Sequence, residues 1–132
     1  MKNLKTLTDQ ELHESFRKTA QTERETTIQV IEHIREIFRR RLYAKYAHPS
    51  MWSYLTKELG YESGAAQRRL QAAKLSDLFP QAGESLKNGE LSISSASELQ
   101  SFFDRERRTK KKMYSFREKQ TILKQAQNRS TR

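Results

Sequence analysis

Cysteine is absent from the 132 residues, which excludes a disulfide framework and any cysteine-based metal site or nucleophile. Glycine occurs only four times and proline twice, and runs of β-branched residues are scarce, so little in the chain calls for strands and turns. The expected fold class is all-α: a small multi-helix domain with a helix-turn-helix-like pair and a basic C-terminal extension. No apolar run approaches bilayer length, and the opening "MKNLKTLTDQELHESF" lacks the apolar segment of a secretory signal. Those absences point to a cytoplasmic protein with no membrane partner. Histidine is limited to His13, His33 and His48, none with the spacing of a metal or nucleophile motif, and no Gly-rich phosphate loop or Gly-x-Ser-x-Gly occurs. No catalytic residue, metal or cofactor is therefore expected.

Charge is what the chain has in quantity. Lysine and arginine outnumber the acids by ten, and the excess is not evenly spread. From Arg105 onward there are eleven basic and two acidic residues, whereas residues 1–104 are almost neutral. A nearly neutral helical domain over 1–104, followed by a basic linker and helical segment over 105–132, is the expected organisation. Such asymmetry fits a polyanionic partner, with DNA ahead of a membrane surface, although basic tails also serve simply as solubilising segments.

Along the chain, Thr8 with Glu11 three residues on has the form of a capping box, followed by a helix carrying Leu12 and Phe16. A second, longer helix is expected from about Thr22 to about Tyr46. Its stripe of Val30, Ile31, Ile34, Ile37, Phe38 and Leu42 repeats at three and four residues and could pair with a second copy of the chain. Pro49 breaks the chain. A helix to Leu59 follows, with Trp52, Leu55 and Leu59 expected inward. Gly60 is its expected left-handed stop. Ser63 is then expected to cap a helix to Phe79, ended by Pro80. Gly89 turns into a helix over about Ser94 to Phe103, "RERRTKKKMY" reads as a linker, and "SFREKQTILKQAQ" as an amphipathic helix with Phe116, Ile122 and Leu123 inward. "NRSTR" reads as the start of one more helix, capped by Ser130 or Thr131.

The stretch from about residue 50 to 79 has the layout of a helix-turn-helix: a short glycine turn, apolar residues to lock two helices, and an outer face able to reach base edges. Ala66, Leu70 and Ala73 would face inward. Gly64, Gln67, Arg68, Gln71 and Lys74 would face out, with Arg69 flanking. Arginine can bond both acceptors of guanine and glutamine can pair with adenine. The same residues are also good formers of any solvated helix face. Arg39, Arg40 and Arg41, with Lys110, Lys111 and Lys112, are the candidate phosphate contacts. The arginine cluster also suits the negative end of a helix dipole.

Taken together, the runs Arg40 to Tyr43, Ser50 to Tyr54, Leu59-Gly60 and Ala65 to Arg68, with "GELSISSASEL" and "YSFREKQTILKQAQNRSTR", resemble the helical region that precedes the nuclease module of bacterial HNH endonuclease-like proteins. That resemblance implies a nucleic-acid-handling module. The chain lacks the His-Asn-His ββα-metal motif that cleavage would need, so the resemblance does not extend to catalysis by these residues. The leading expectation is a non-catalytic DNA-binding module. Its rivals are a helical protein-interaction or dimerisation module, and the DNA-targeting part of an endonuclease whose catalytic domain lies outside this sequence.

Overall fold

A computed structural model describes residues 3–109 and 115–130, and helix is the only regular secondary structure among them. After a 3₁₀ turn at Leu4–Thr6, helix α1 spans Asp9–Arg40. Thr8 Oγ1 accepts from the Glu11 N–H at 3.2 Å, and Glu11 Oε1 accepts from the Thr8 N–H at 2.9 Å, so the capping box forms as expected. The two helices expected over this region are one. Nothing between Asp9 and Arg40 breaks a helix, and at 1.5 Å per residue α1 is about 48 Å long. It stops where Arg41 turns left-handed at φ 54°. A single turn, α2 (Leu42–Lys45), follows, and Ala47 is left-handed again at φ 64°.

Ser50 Oγ accepts from the Ser53 N–H at 3.1 Å and starts α3, Met51–Ser53, which runs directly into a π-helical turn, Tyr54–Glu58. That turn corrects the expected inward face. Bonds five residues apart, such as Leu59 N–H to Tyr54 O at 3.2 Å, widen the helix and rotate its apolar side. Met51 and Leu55 are buried, while Trp52 is 38% and Leu59 53% exposed. Gly60 takes the left-handed conformation at φ 77°, and the Tyr61 N–H closes the turn on Leu55 O at 3.0 Å.

Helix α4, Ser63–Leu78, is capped by Glu62 rather than Ser63, the Glu62 carboxylate accepting from the Gly64 N–H at 3.2 Å. Phe79 leaves the helix with an extended backbone. Pro80 then opens α5, Pro80–Asn88, because a proline that stops one helix is well suited to the first position of the next. That helix is not evident from the sequence pattern. Gly89 at φ 86° ends it, and the Ser92 hydroxyl accepts from the Ser95 N–H at 3.0 Å at the start of α6, Ile93–Thr109. Helix α6 thus runs well past Phe103, straight through the expected domain boundary at residue 104. Helix α7, Phe116–Ser130, begins with a second capping box, between Ser115 and Glu118. It runs on to Ser130, one of the two caps expected for a further helix; the other, Thr131, lies outside the described residues.

Helix α4 lies at the centre, packed most extensively on α6 and then on α1, α5 and α3. Ala66, Ala72 and Ala73 are buried and bring neighbouring backbones close; Leu75 and Phe79 fill the spaces between. Ile31 and Ile34 of α1, Leu55, Leu86 and Leu91 complete the core. Helix α7 adds Leu123 to it as expected, hydrogen-bonds Gln127 to Ser85, and stacks Phe116 on Phe79 at 5.1 Å between ring centroids. Phe116, expected inward, lies on top of the buried Phe79 and keeps 58% of its own surface in water. The C-terminal segment is therefore docked on the domain. Among the described residues no helix is long and apolar enough to cross a membrane.

Candidate nucleic-acid interface

A helix places residues three, four and seven apart on one side. Gln67, Gln71 and Lys74 make such a row on α4, and Ser101, Asp104 and Arg108 make another on α6. The two rows face each other across an open groove of about 460 Å³, with Arg107 at its rim. Three cations from two helices therefore converge on a groove that contains one carboxylate. Asp104 is held at both oxygens: Gln71 Nε2 donates to Oδ2 at 3.1 Å and Gln100 Nε2 donates to Oδ1 at 3.1 Å. Gln71 Nε2 also donates to Ser101 Oγ at 3.0 Å.

This geometry corrects the outer face expected for α4. Gln71 is only 3% exposed, so it forms the floor of the groove. The physical reason is the packing of α6 along α4, which sets Ser101 and Asp104 over Gln71 and takes up its amide. Gln67, Arg68 and Lys74 remain exposed as expected, and Ala66, Leu70 and Ala73 are buried as expected. Arg69 is turned along the helix. Its guanidinium donates to Ala65 O at 3.1 Å and lies 5.3 Å from the centre of the Tyr61 ring. Gly64 leaves room over the first turn of α4, where a Cβ would stand 3.2 Å from Arg68 Nη1 and 3.3 Å from Glu62 Oε1.

The Arg39–Arg41 cluster divides. Arg39 and Arg40 both bond to Glu36, the Arg40 Nε–Oε2 distance being 2.6 Å. Hydrogen bonds from Arg39, then Arg40, hold the Glu36 carboxyl down at about 2. Arg41 forms no ion pair among the described residues. Arg35, which sequence reasoning did not select, links α1 to α4 through Asp77 at 2.6 Å; that bond raises its pKa. Lys110, Lys111 and Lys112 lie outside the described residues.

Arg107 and Arg108 are the contributors that sequence reasoning missed. Read as linker, "RERRT" carries no face; read as the last turns of α6, it aims at α4. The continuing helical spacing of Leu99, Phe103 and Glu106, all buried, was the available signal.

Protein-family models, curated proteins and solved structures were compared with the chain, and none matches it.

The histidines stand apart from the groove. His33 Nδ1 lies 2.7 Å from Gln29 O, four residues back on α1. His48 Nδ1 lies 3.1 Å from Ser53 Oγ, and its Nε2 lies 3.6 Å from Glu58 Oε2. A serine, a histidine and a carboxylate in sequence have the composition of a nucleophilic triad, but such a triad needs its hydroxyl open to a cleft. Ser53 is buried, and here the three groups tie the loop after α2 to the π turn. Among the described residues no three His, Asp or Glu side chains are grouped to hold a metal ion.

Proposed function

We propose that this domain binds DNA along the α4–α6 groove. The observation that carries the reading is the convergence of Lys74, Arg107 and Arg108 on one open groove. Phosphate contacts supply most of the affinity in such complexes, and cations fixed on two packed helices can hold a backbone in register. Gln67 and Arg68, exposed on the first half of α4, are the side chains able to read adenine and guanine edges. The basic residues 110–112 and 117–132 supply further long-range attraction. The test is fluorescence anisotropy with a mixed-sequence duplex across a salt series. Arg107→Ala with Arg108→Ala should weaken binding to all sequences and reduce the salt slope by roughly 2. Arg68→Ala should instead change sequence preference. Absence of binding by the intact chain at low salt overturns the reading.

The likeness to the helical region of HNH endonuclease-like proteins is compatible with this role. In that case the domain targets DNA for a catalytic part carried elsewhere, and purified protein should bind without cutting, with or without added divalent metal.

A second reading, a protein-interaction surface, has its own observation. Phe16 is 72% exposed, and Leu4 and Leu12 beside it line an open apolar hollow on the first part of α1. Of the stripe expected to join two copies, Ile31 and Ile34 are spent in the chain's own core, Val30, Ile37 and Leu42 are half-buried, and Phe38 stays exposed. Association through the first part of α1 would use Leu4, Leu12 and Phe16, and Phe16→Ser should then abolish an oligomer seen by light scattering.

A further inference from the structure

Between the end of α1 and the π turn lies a corner that the α4–α6 groove does not involve. Arg41 and Ala47 are the only non-glycine residues with left-handed backbone among those described, and they bracket α2 on both sides. Strained backbone of this kind persists where the surroundings hold it, and it concentrates at functional sites. Here the His48 N–H bond to Tyr43 O at 3.0 Å and the His48–Ser53 contact at 3.1 Å hold it.

The corner is rich in aromatic rings that are not buried. Phe38 leans on Tyr43 at 6.3 Å between centroids, and Tyr46 leans on Tyr54 at 6.2 Å. Yet Phe38 keeps 46% and Tyr46 59% of its surface in water. Each ring is oriented by an aromatic neighbour and remains open. Cations alternate with them in the chain: Arg41 and Lys45 lie one helical turn apart, and neither has an acidic partner among the described residues. Open rings interleaved with unneutralised cations suit a ligand that presents flat apolar faces and negative charges at short intervals. A single-stranded nucleic acid is such a ligand, since every unpaired base has a face for stacking and every linkage a phosphate. A duplex hides its base faces within the stack and could use only the cations.

We infer that the corner from Phe38 to Tyr54 binds unpaired bases of a single-stranded nucleic acid, with Phe38 and Tyr46 stacking and Arg41 and Lys45 holding the adjoining phosphates. In ligand class this rests on the nucleic-acid reading above, but it uses a separate surface. A protein that combines the two surfaces would engage a junction between duplex and single strand.

The experiment titrates the full chain into two fluorescein-labelled probes, an oligothymidylate of about a dozen nucleotides and a mixed-sequence duplex. Anisotropy is read together with quenching of intrinsic fluorescence. Phe38→Ala with Tyr46→Ala should cost about tenfold or more on the single strand, remove most of the quenching, and leave duplex affinity within about twofold. Tyr46→Phe should retain single-strand binding, because stacking needs the ring and not its hydroxyl. Both rings are half exposed, so an unchanged thermal midpoint establishes that the double variant folds. Equal losses on both probes, or no loss on either, overturn the inference. Binding to the duplex with none to the single strand overturns it alone and leaves the groove reading standing. Binding to neither probe at low salt overturns both.

Discussion

Helix α4 and the first half of α1 are helical segments of similar length with opposite fates. Residues 70–73, 75 and 76 of α4 are all buried, although its apolar side chains form no clean stripe. Residues 9–26 of α1 are exposed with the sole exception of half-buried Ser15, although Leu12 and Phe16 lie one turn apart on a single face. The lesson is that burial follows from which neighbours can come close. Alanines let α1, α5 and α6 surround α4, whereas the first half of α1 projects past the last element able to cover it. That end of α1 stands on its capping box and on bonds within the helix, such as Gln21 to Glu25 at 3.2 Å, with tertiary support starting where Arg24 lies over Gly89.

This contrast can be broken in four ways, and the largest effect belongs to the sheathed side. Phe79→Ala removes a fully buried ring and its stack with Phe116, and should cost about 3–5 kcal/mol in chemical denaturation. A cost near zero would mean that α4 and α7 are not joined there. Next comes Gln71→Glu, which sets a second carboxylate against Asp104 in the floor of the groove. It should lose about 3 kcal/mol at neutral pH and recover part of that as acid neutralises one of the pair. Gln67→Glu, on the same helix but exposed, should change stability by less than about 0.5 kcal/mol. Were the two equally mild, α6 would not cover Gln71.

On the bare side the effects should be local. Thr8→Ala removes a cap worth about 1 kcal/mol, so amide exchange in the first turns of α1 should quicken roughly fivefold while the thermal midpoint stays put. A midpoint that fell with it would show that residues 9–26 are coupled to the core. The smallest effect concerns Glu36. Its carboxyl is lowered from the ordinary 4.5 to about 2, so its contribution is present above 4.5 and disappears as pH falls towards 2. Because the group is open to solvent, that contribution is slight. Glu36→Gln should lower stability slightly and evenly above pH 4.5 and make the acid side of a stability-against-pH curve marginally shallower between 4.5 and 2; a change of slope above pH 5 would contradict the assignment.

What could be read in the sequence was mostly punctuation. Thr8, Gly60, Pro80 and Gly89 each act as their chemistry dictates, and the inward row Ala66, Leu70 and Ala73 follows from helical spacing. The failures have physical causes. Helix α1 was divided because residues 17–27 have no apolar rhythm, and a helix packed on nothing needs none. Trp52 and Leu59 were turned inward by a period of 3.6, which a π turn does not obey. Pro80 cannot continue α4 and is at the same time the first residue of α5, a double role that the proline alone does not signal. The α4 side of the candidate groove is legible in the sequence; the cations of the other side, Arg107 and Arg108, depend on α6 persisting through "RERRT", a stretch whose charge conceals the buried Glu106.

The stack of Phe116 on Phe79 joins residues far apart in the chain, and it gives the domain an order of assembly. As the polypeptide leaves the ribosome, α4 and α5 emerge with the Phe79 ring still lacking its cover. The covering ring follows only after the whole of α6, and Leu123 arrives later still. Until then the Phe79 ring has only part of its final cover, so the packing around it is the last part of the core to be completed.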